Sequence, residues 1–329
     1  MNSSTNIKSI IKNNILAILI RSFRNTIEVI LNKKKNNSSL IYLYQLFIIR
    51  FIYGLTFFRN LLKTNYKFTN SINKLSFRQE SLDDLIYDLD KKGFTYENKF
   101  KTDIIDNIEN SLVVNCNEGS IIDKNQKLIF KKDLKFKNLE EMKNFTTSNN
   151  AYIFKGVVDI NSSKILKKVF LSDFFLDLAK NYLSTNKLSI NSQIFVTQPL
   201  EKNQYKSNSV LLSKAAQKYH FDIDYKKFFK IIIYLSNVIE KENGAHMFIE
   251  GTHKFKLNKH MISKRYENHE IENAYEAKKV FLGERGTYFC VDTFGYHKGY
   301  PVTKDMRIAA FIEYGKGHFQ FNDKTLFVN

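Results

Sequence analysis

Between about residues 186 and 315 the chain carries five short runs rich in β-branched and aromatic residues: SQIFVTQPL, FKIIIYLSNV, AHMFIEG, GTYFCVD and RIAAFIEY. Turn signals separate them, among them Asn243-Gly244, Gly251 and the segment Gly283 to Gly286. Many short strands punctuated by Gly-centred turns predict a sandwich or barrel and not a βαβ fold. A polar, helical insertion is expected between Phe255 and Val280.

The section before it, about 78–185, reads as mixed short helices and strands. In SLDDLIYDLDKKGFTYE, Ser81 with Asp84 three residues on marks a helix start. The apolar stripe Leu82, Leu85, Ile86 and Leu89 continues it, and Gly93 stops it. AYIFKGVVDI and the amphipathic LSDFFLDLAKNYLS follow.

Residues 1–77 form a third, basic and helical section, with twelve Lys or Arg against a single acid, Glu28. Its run from Leu40 to Phe58 is almost all apolar, but Gln45 and Arg50 lie near the centre. An arginine there costs about 2.5–3.5 kcal/mol on insertion. A helix packed on the domain or lying in a membrane interface fits better than a span. The division is therefore a basic extension over 1–77, a candidate for peripheral membrane contact, and one folded domain over 78–329.

The net charge of +18 raises nucleic acid as a partner. However, 43 lysines against 8 arginines, with two prolines and no tryptophan, match the codon bias of an AT-rich genome. No recognisable nucleic-acid motif accompanies the charge, so no such partner is expected. Cys116 and Cys290 form no framework and read as core thiols of a reducing compartment. No cleaved signal peptide pattern opens the chain, which suggests a cytoplasmic location with membrane contact through the extension. HExxH, a GxSxG elbow, a P-loop and GxGxxG are all absent.

Chemistry concentrates in KYHFDIDYKK, residues 218–227. On a strand, His220 and Asp222 project from one face while Phe221 points the other way. They are either incidental polar residues of a half-buried strand or two ligands of a divalent cation. A third ligand would be His297, in DTFGYHKGYP, 75 residues after Asp222. Two histidines and one carboxylate on a face leave three positions open, the ligand set of non-haem Fe(II) oxygenases, which take a bidentate co-substrate and O2 there. Ten residues beyond His297 stands Arg307, the sole arginine after Arg285 in a lysine-rich chain. It is either a strand-end surface residue or a planar clamp for a carboxylate. Of the other histidines, His246 could face either way on its strand, and His253 suits a structural hydrogen bond in its turn. His260, His269 and His318 lie in polar surroundings and are expected to be solvated.

Several of these pieces together resemble the phytanoyl-CoA dioxygenase family. There an HxD strand leads into an aliphatic strand, an NG turn and a strand ending in G-[ST]-H-K. Here these parts are His220-Phe221-Asp222, KIIIYLSNV, Asn243-Gly244 and Gly251-Thr252-His253-Lys254. GTYFCVDTFGYHKGYPVTKDMRIAAF resembles the family's closing segment, and the clear likeness covers about 190–315. Residues 1–77 have no counterpart in it.

The resemblance implies a mainly β protein with flanking helices and a double-stranded β-helix (jelly-roll, cupin-like) core. It also implies an Fe(II)- and 2-oxoglutarate-dependent dioxygenase that uses O2 to hydroxylate a small-molecule or lipid-like substrate, releasing succinate and CO2. His220, Asp222 and His297 would bind iron and act in catalysis, and Arg307 would bind the C5 carboxylate of 2-oxoglutarate. Two departures stand out. Phe221 replaces the glutamine many members carry inside HxD, and Lys298-Gly299 replaces Gly-Ser after the distal histidine. The missing hydroxyl must come from elsewhere, with Tyr300 one candidate, while Gln193, Thr197 and Gln217 are candidates for further polar contacts. The alternative is a catalytically inactive, membrane-associated β-fold binding protein.

Overall fold

A computed structural model describes residues 75–76, 81–116, 121–123, 134–201, 209–224, 227–257, 260, 265–317 and 324–328. The extension 1–77 lies outside these apart from Leu75 and Ser76. His318 and parts of the loops near 200–216 and 255–280 lie outside them too. Among the described residues no helix is long and apolar enough to cross a membrane.

The protein is a double-stranded β-helix with helices on one side. Its large antiparallel sheet centres on β6 (Leu188–Thr197), β7 (Phe228–Tyr234), β10 (Thr287–Val291) and β12 (Arg307–Lys316), in the order β10-β7-β12-β6. Beyond β6 it continues into β5 (Ala151–Val158), β2 (Val114–Cys116) and β4 (Leu134–Phe136); β3 (Ile121–Asp123) also pairs with β5, and β1 (Asn98–Lys99) edges β10. The small sheet has the order β11-β8-β9, from β8 (His246–Ile249), β9 (Lys278–Phe281) and β11 (His297–Gly299). The segment carrying His220 extends this sheet through a bridge to His297. From β6 onward the chain passes to and fro between the two sheets, which generates the two-layered helix of strands.

The aliphatic run at β7 shows why both faces of the large sheet must be covered. Ile231 and Ile233 point outward into a core shared with Ile190, Ile194, Ile308 and Ile312. Phe175 and Leu178 of helix Asp173–Leu183 close that layer. Ile232 and Tyr234 point inward, with Phe248, Phe281, Phe289 and Ala309 between the sheets. A strand buried on both faces reads as a continuous apolar run and not an alternating one.

The entry helix, Leu82–Lys91, begins as its sequence predicts, with the Ser81 hydroxyl accepting the Asp84 N–H. Gly93 ends it at φ +88°, where a Cβ would stand 2.6 Å from His253 Nδ1 and 2.8 Å from Phe248 Cζ. The helix thus docks against the Gly-Thr-His-Lys turn, and His253 Nε2 lies 3.1 Å from the Asp90 carbonyl. Both cysteines are buried and neither forms a disulfide.

Two local expectations are corrected. The helical insertion after Phe255 amounts, among the described residues, to one short helix, Asn268–Glu272. His260 is buried and not solvated; it sits against the rings of Tyr266, Tyr275 and Tyr296.

Candidate metal centre

His220 and Asp222 come from the segment entering β7, and His297 opens β11, which the His220 bridge aligns beside it. Backbone bonds fix this alignment from both directions: His220 N–H donates to the His297 carbonyl at 3.1 Å and His297 N–H to the His220 carbonyl at 2.9 Å. Asp222 N–H donates to the Thr293 carbonyl at 2.8 Å. Nε2 of His220 lies 3.7 Å from Asp222 Oδ1, and Nε2 of His297 lies 3.6 Å from Asp222 Oδ2. The three potential ligand atoms all fall within 4.8 Å of one another.

Their protonation suits a cation. His220 Nδ1 lies 2.9 Å from the Lys218 carbonyl and His297 Nδ1 lies 3.0 Å from the Gly295 carbonyl. A carbonyl only accepts, so each Nδ1 carries the hydrogen and each Nε2 keeps its lone pair toward the cluster. Burial holds both imidazoles below their ordinary pKa, and at His220 the neighbouring His297 and Arg265 push the same way. Burial alone would raise the Asp222 pKa, but the Lys230 ammonium and the two imidazoles hold it well below the carboxylate range. Two neutral nitrogen donors and one carboxylate are thus gathered on one side of a shared point. This donor set fits a divalent transition metal.

Lys230, on the inner face of β7, is a site residue that the sequence reading missed. Its ammonium donates to Asp222 Oδ2 at 2.9 Å and to Asp224 Oδ2 at 3.3 Å, and lies 2.9 Å from Glu313 Oε2. Three carboxylates outweigh the burial that would lower its pKa and raise it well above the ordinary lysine value. Glu313 is driven the other way, well above the carboxylate range, by burial, which the adjacent Lys230 only partly offsets. Asp224 lines the cavity as well.

A cavity of about 270 Å³ joins the triad to Arg307, close to the lower end of small-molecule pockets at about 300 Å³. Along β12, alternation puts Arg307, Ala309, Phe311 and Glu313 on the inner face, so Arg307 and Glu313 stand at opposite ends about 20 Å apart. Arg307 is only 7% exposed, and neither its Nε nor its Nη2 has a hydrogen-bond partner. The Tyr234 ring flanks it, 5.7 Å from the guanidinium carbon. Burial lowers the Arg307 pKa, yet a guanidinium keeps its proton in proteins. A buried cation with two unmet donors fits a carboxylate ligand, such as the distal end of a dicarboxylate.

The remaining sequence candidates separate. Gln193 lines the cavity, whereas Gln217 and Tyr300 are not among its lining residues. Gln217 accepts the buried Tyr152 hydroxyl at 2.7 Å. Thr197 pairs with Arg307 in the β6–β12 register. Phe221 turns away from the cavity into a cluster with Phe294 and Tyr296, at centroid distances of 5.3 and 5.5 Å. His246 faces the cavity.

No protein-family model matches the sequence, and no curated protein matches it. Among solved structures, the epimerase SnoN in complex with Fe3+, alpha ketoglutarate and nogalamycin RO aligns at 10% identity and a TM-score of 0.47. That alignment covers 75% of this chain and 98% of SnoN. AviO1 from Streptomyces viridochromogenes Tue57 aligns at 11% identity and a TM-score of 0.45, over 72% of this chain and 95% of its own. HygX from Streptomyces hygroscopicus, with nickel and 2-oxoglutarate bound, aligns at 10% identity and a TM-score of 0.43, over 70% and 85%.

Proposed function

We propose that the protein is an Fe(II)- and 2-oxoglutarate-dependent dioxygenase that hydroxylates a C–H bond of a small-molecule or lipid-like substrate. One observation carries this reading. A His-Asp-His cluster poised for a divalent metal shares a cavity with a buried arginine, two of whose nitrogens have no acceptor.

His220, Asp222 and His297 would hold the iron, and Arg307 the distal carboxylate of 2-oxoglutarate. Bound together with O2, these groups supply an oxidation in which one oxygen atom enters the substrate C–H bond and the other enters succinate as CO2 leaves. The chain's own share is positioning and exclusion of water. The Lys218 and Gly295 carbonyls fix both imidazoles as Nε2 donors. Lys230 restrains Asp222, and the inward-facing Ile232 and Phe311 wall the cavity. The end of β12 far from Arg307 is lined by Asn191, Asp224 and Glu313. A polar end favours the small-molecule class over a bare hydrocarbon chain.

Conversion of 2-oxoglutarate to succinate by purified protein with ferrous iron tests the reading. Turnover in the wild type and its loss in Asp222→Ala is the expected result. No turnover and no binding of either partner by the wild type would sink it. Peripheral membrane contact through residues 1–77 belongs to the same reading, supported by their charge asymmetry. Liposome flotation of the full chain should then fall when those residues are removed.

A further inference from the structure

We infer that His246 is a second binding residue for the distal carboxylate of the 2-oxo acid, supplying the hydrogen bond that Gly299 has no side chain to make. The inference rests on the co-substrate reading above.

The imidazole of His246 is 3% exposed and its Nε2 has no hydrogen-bond partner. It lines the same cavity as the triad and Arg307. The ring is firmly placed: it lies 5.7 Å from both Phe281 and Phe289 and stacks on His297 at 5.4 Å with a 25° interplanar angle. Its backbone N–H donates to the Tyr234 hydroxyl at 3.0 Å, beside the arginine. His246 stands outside the group whose ligand atoms lie within 4.8 Å of one another, so it is not a fourth member of the metal cluster.

The strand register supplies the link to Arg307. His246 pairs directly with Gly299 across β8 and β11, so their side-chain positions share one face. A Cβ on Gly299 would lie 3.8 Å from Arg307 Nη1, in ordinary contact. Gly299 thus leaves room next to the guanidinium, and the facing strand offers an imidazole there. Arg307 Nε, Arg307 Nη2 and His246 Nε2 are three buried nitrogens without partners around one cavity. A buried polar atom left unmet is costly, so three together call for a ligand rich in acceptors. With its hydrogen on Nε2, His246 donates to a carboxylate that Arg307 holds from the other side.

The test is an anaerobic titration of the Fe(II)-loaded full chain, following the visible charge-transfer band of an iron-chelated 2-oxo acid. Fe(II) affinity is measured separately without it. His246→Leu should weaken 2-oxoglutarate binding about 10- to 100-fold, the value of one hydrogen bond to a charged group. Iron affinity should not change. Binding of 2-oxobutyrate, which chelates identically but lacks the distal carboxylate, should be unaffected. His246→Gln keeps an N–H and should retain most of the affinity, and Gly299→Ser added to His246→Leu should recover part of it. If the leucine variant fails to fold, His246→Met against His246→Gln makes the same comparison. Unchanged 2-oxoglutarate affinity, equal losses for both acids, or loss of iron affinity would overturn the inference. Failure of the wild type to bind 2-oxoglutarate in the presence of bound iron would instead remove the co-substrate reading beneath it.

Discussion

The Lys230 ammonium lies 2.9 Å from Asp222 Oδ2 and 2.9 Å from Glu313 Oε2, tying a residue of the candidate metal centre to a strand that contributes none of its ligands. Removing one partner of a buried ion pair leaves the other charges unmet, which typically costs about 3–5 kcal/mol. Lys230→Met should therefore destabilise the metal-free protein by that order, read by denaturant unfolding. Adding Glu313→Leu should return part of the loss, because a buried carboxyl group left without Lys230 goes with it. Unchanged stability in the single variant would mean that Lys230 carries no such burden.

Metal-free protein should lose stability as the solution is acidified from neutrality. His220, His246 and His297 all have folded pKa values below the ordinary histidine value, chiefly through burial. Unfolding lets them take up protons, so their contribution is intact above the unfolded value of about 6.5 and fades as the pH drops below it. Each imidazole adds at most about 1.4 kcal/mol per pH unit, over the interval between its unfolded and its folded pKa. Denaturant unfolding across that range checks it, and a flat profile would contradict neutral histidines. The depressed pKa of Asp222 adds its own loss only at lower pH, as the unfolded carboxylate begins to protonate.

Arg307 should be a liability to the empty protein. Two of its nitrogens are buried without partners, and an unmet buried donor costs about 1–3 kcal/mol. Arg307→Met should raise unfolding stability by about that much while abolishing 2-oxoglutarate binding. Arg307→Lys should weaken binding too, since an ammonium cannot offer the planar fork. Destabilisation by the methionine variant would show that the guanidinium is satisfied in solution.

Phe221→Gln would bring the HxD segment to the form common in the family it resembles, yet no gain in co-substrate affinity is expected. The side chain at 221 faces the cluster of Phe294 and Tyr296, away from the cavity. Loss of a buried phenyl ring costs about 3–5 kcal/mol, so the variant should unfold more readily. Tighter 2-oxoglutarate binding in this variant would contradict the orientation.

The i, i+2 spacing of His220 and Asp222 makes their common face legible in the sequence alone, because strand alternation is a local rule. The strand-rich region was legible for the same reason, from runs bounded by glycine turns. His246 was not. Alternation along β8 says only that it opposes Met247, and the packing of Phe248 inward and Ile249 outward settles which face it takes. Nothing within FFKIIIY marks Lys230 as a site residue, because one of its partners, Glu313, lies 83 residues further on. Gln217 was misleading for a similar reason. Its amide oxygen is taken by Tyr152 from β5, a contact that no local pattern announces. His260 was read as solvated from its polar neighbours in sequence, whereas its neighbours in space are tyrosines.

A crystal structure of the protein grown with a divalent transition metal and N-oxalylglycine, a non-reacting mimic of 2-oxoglutarate, bears most directly on the proposed chemistry. Anomalous density for the metal should lie on His220 Nε2, Asp222 and His297 Nε2, with the mimic's distal carboxylate on Arg307. A metal bound elsewhere, or a triad left empty at saturating metal while Arg307 holds no carboxylate, would contradict it.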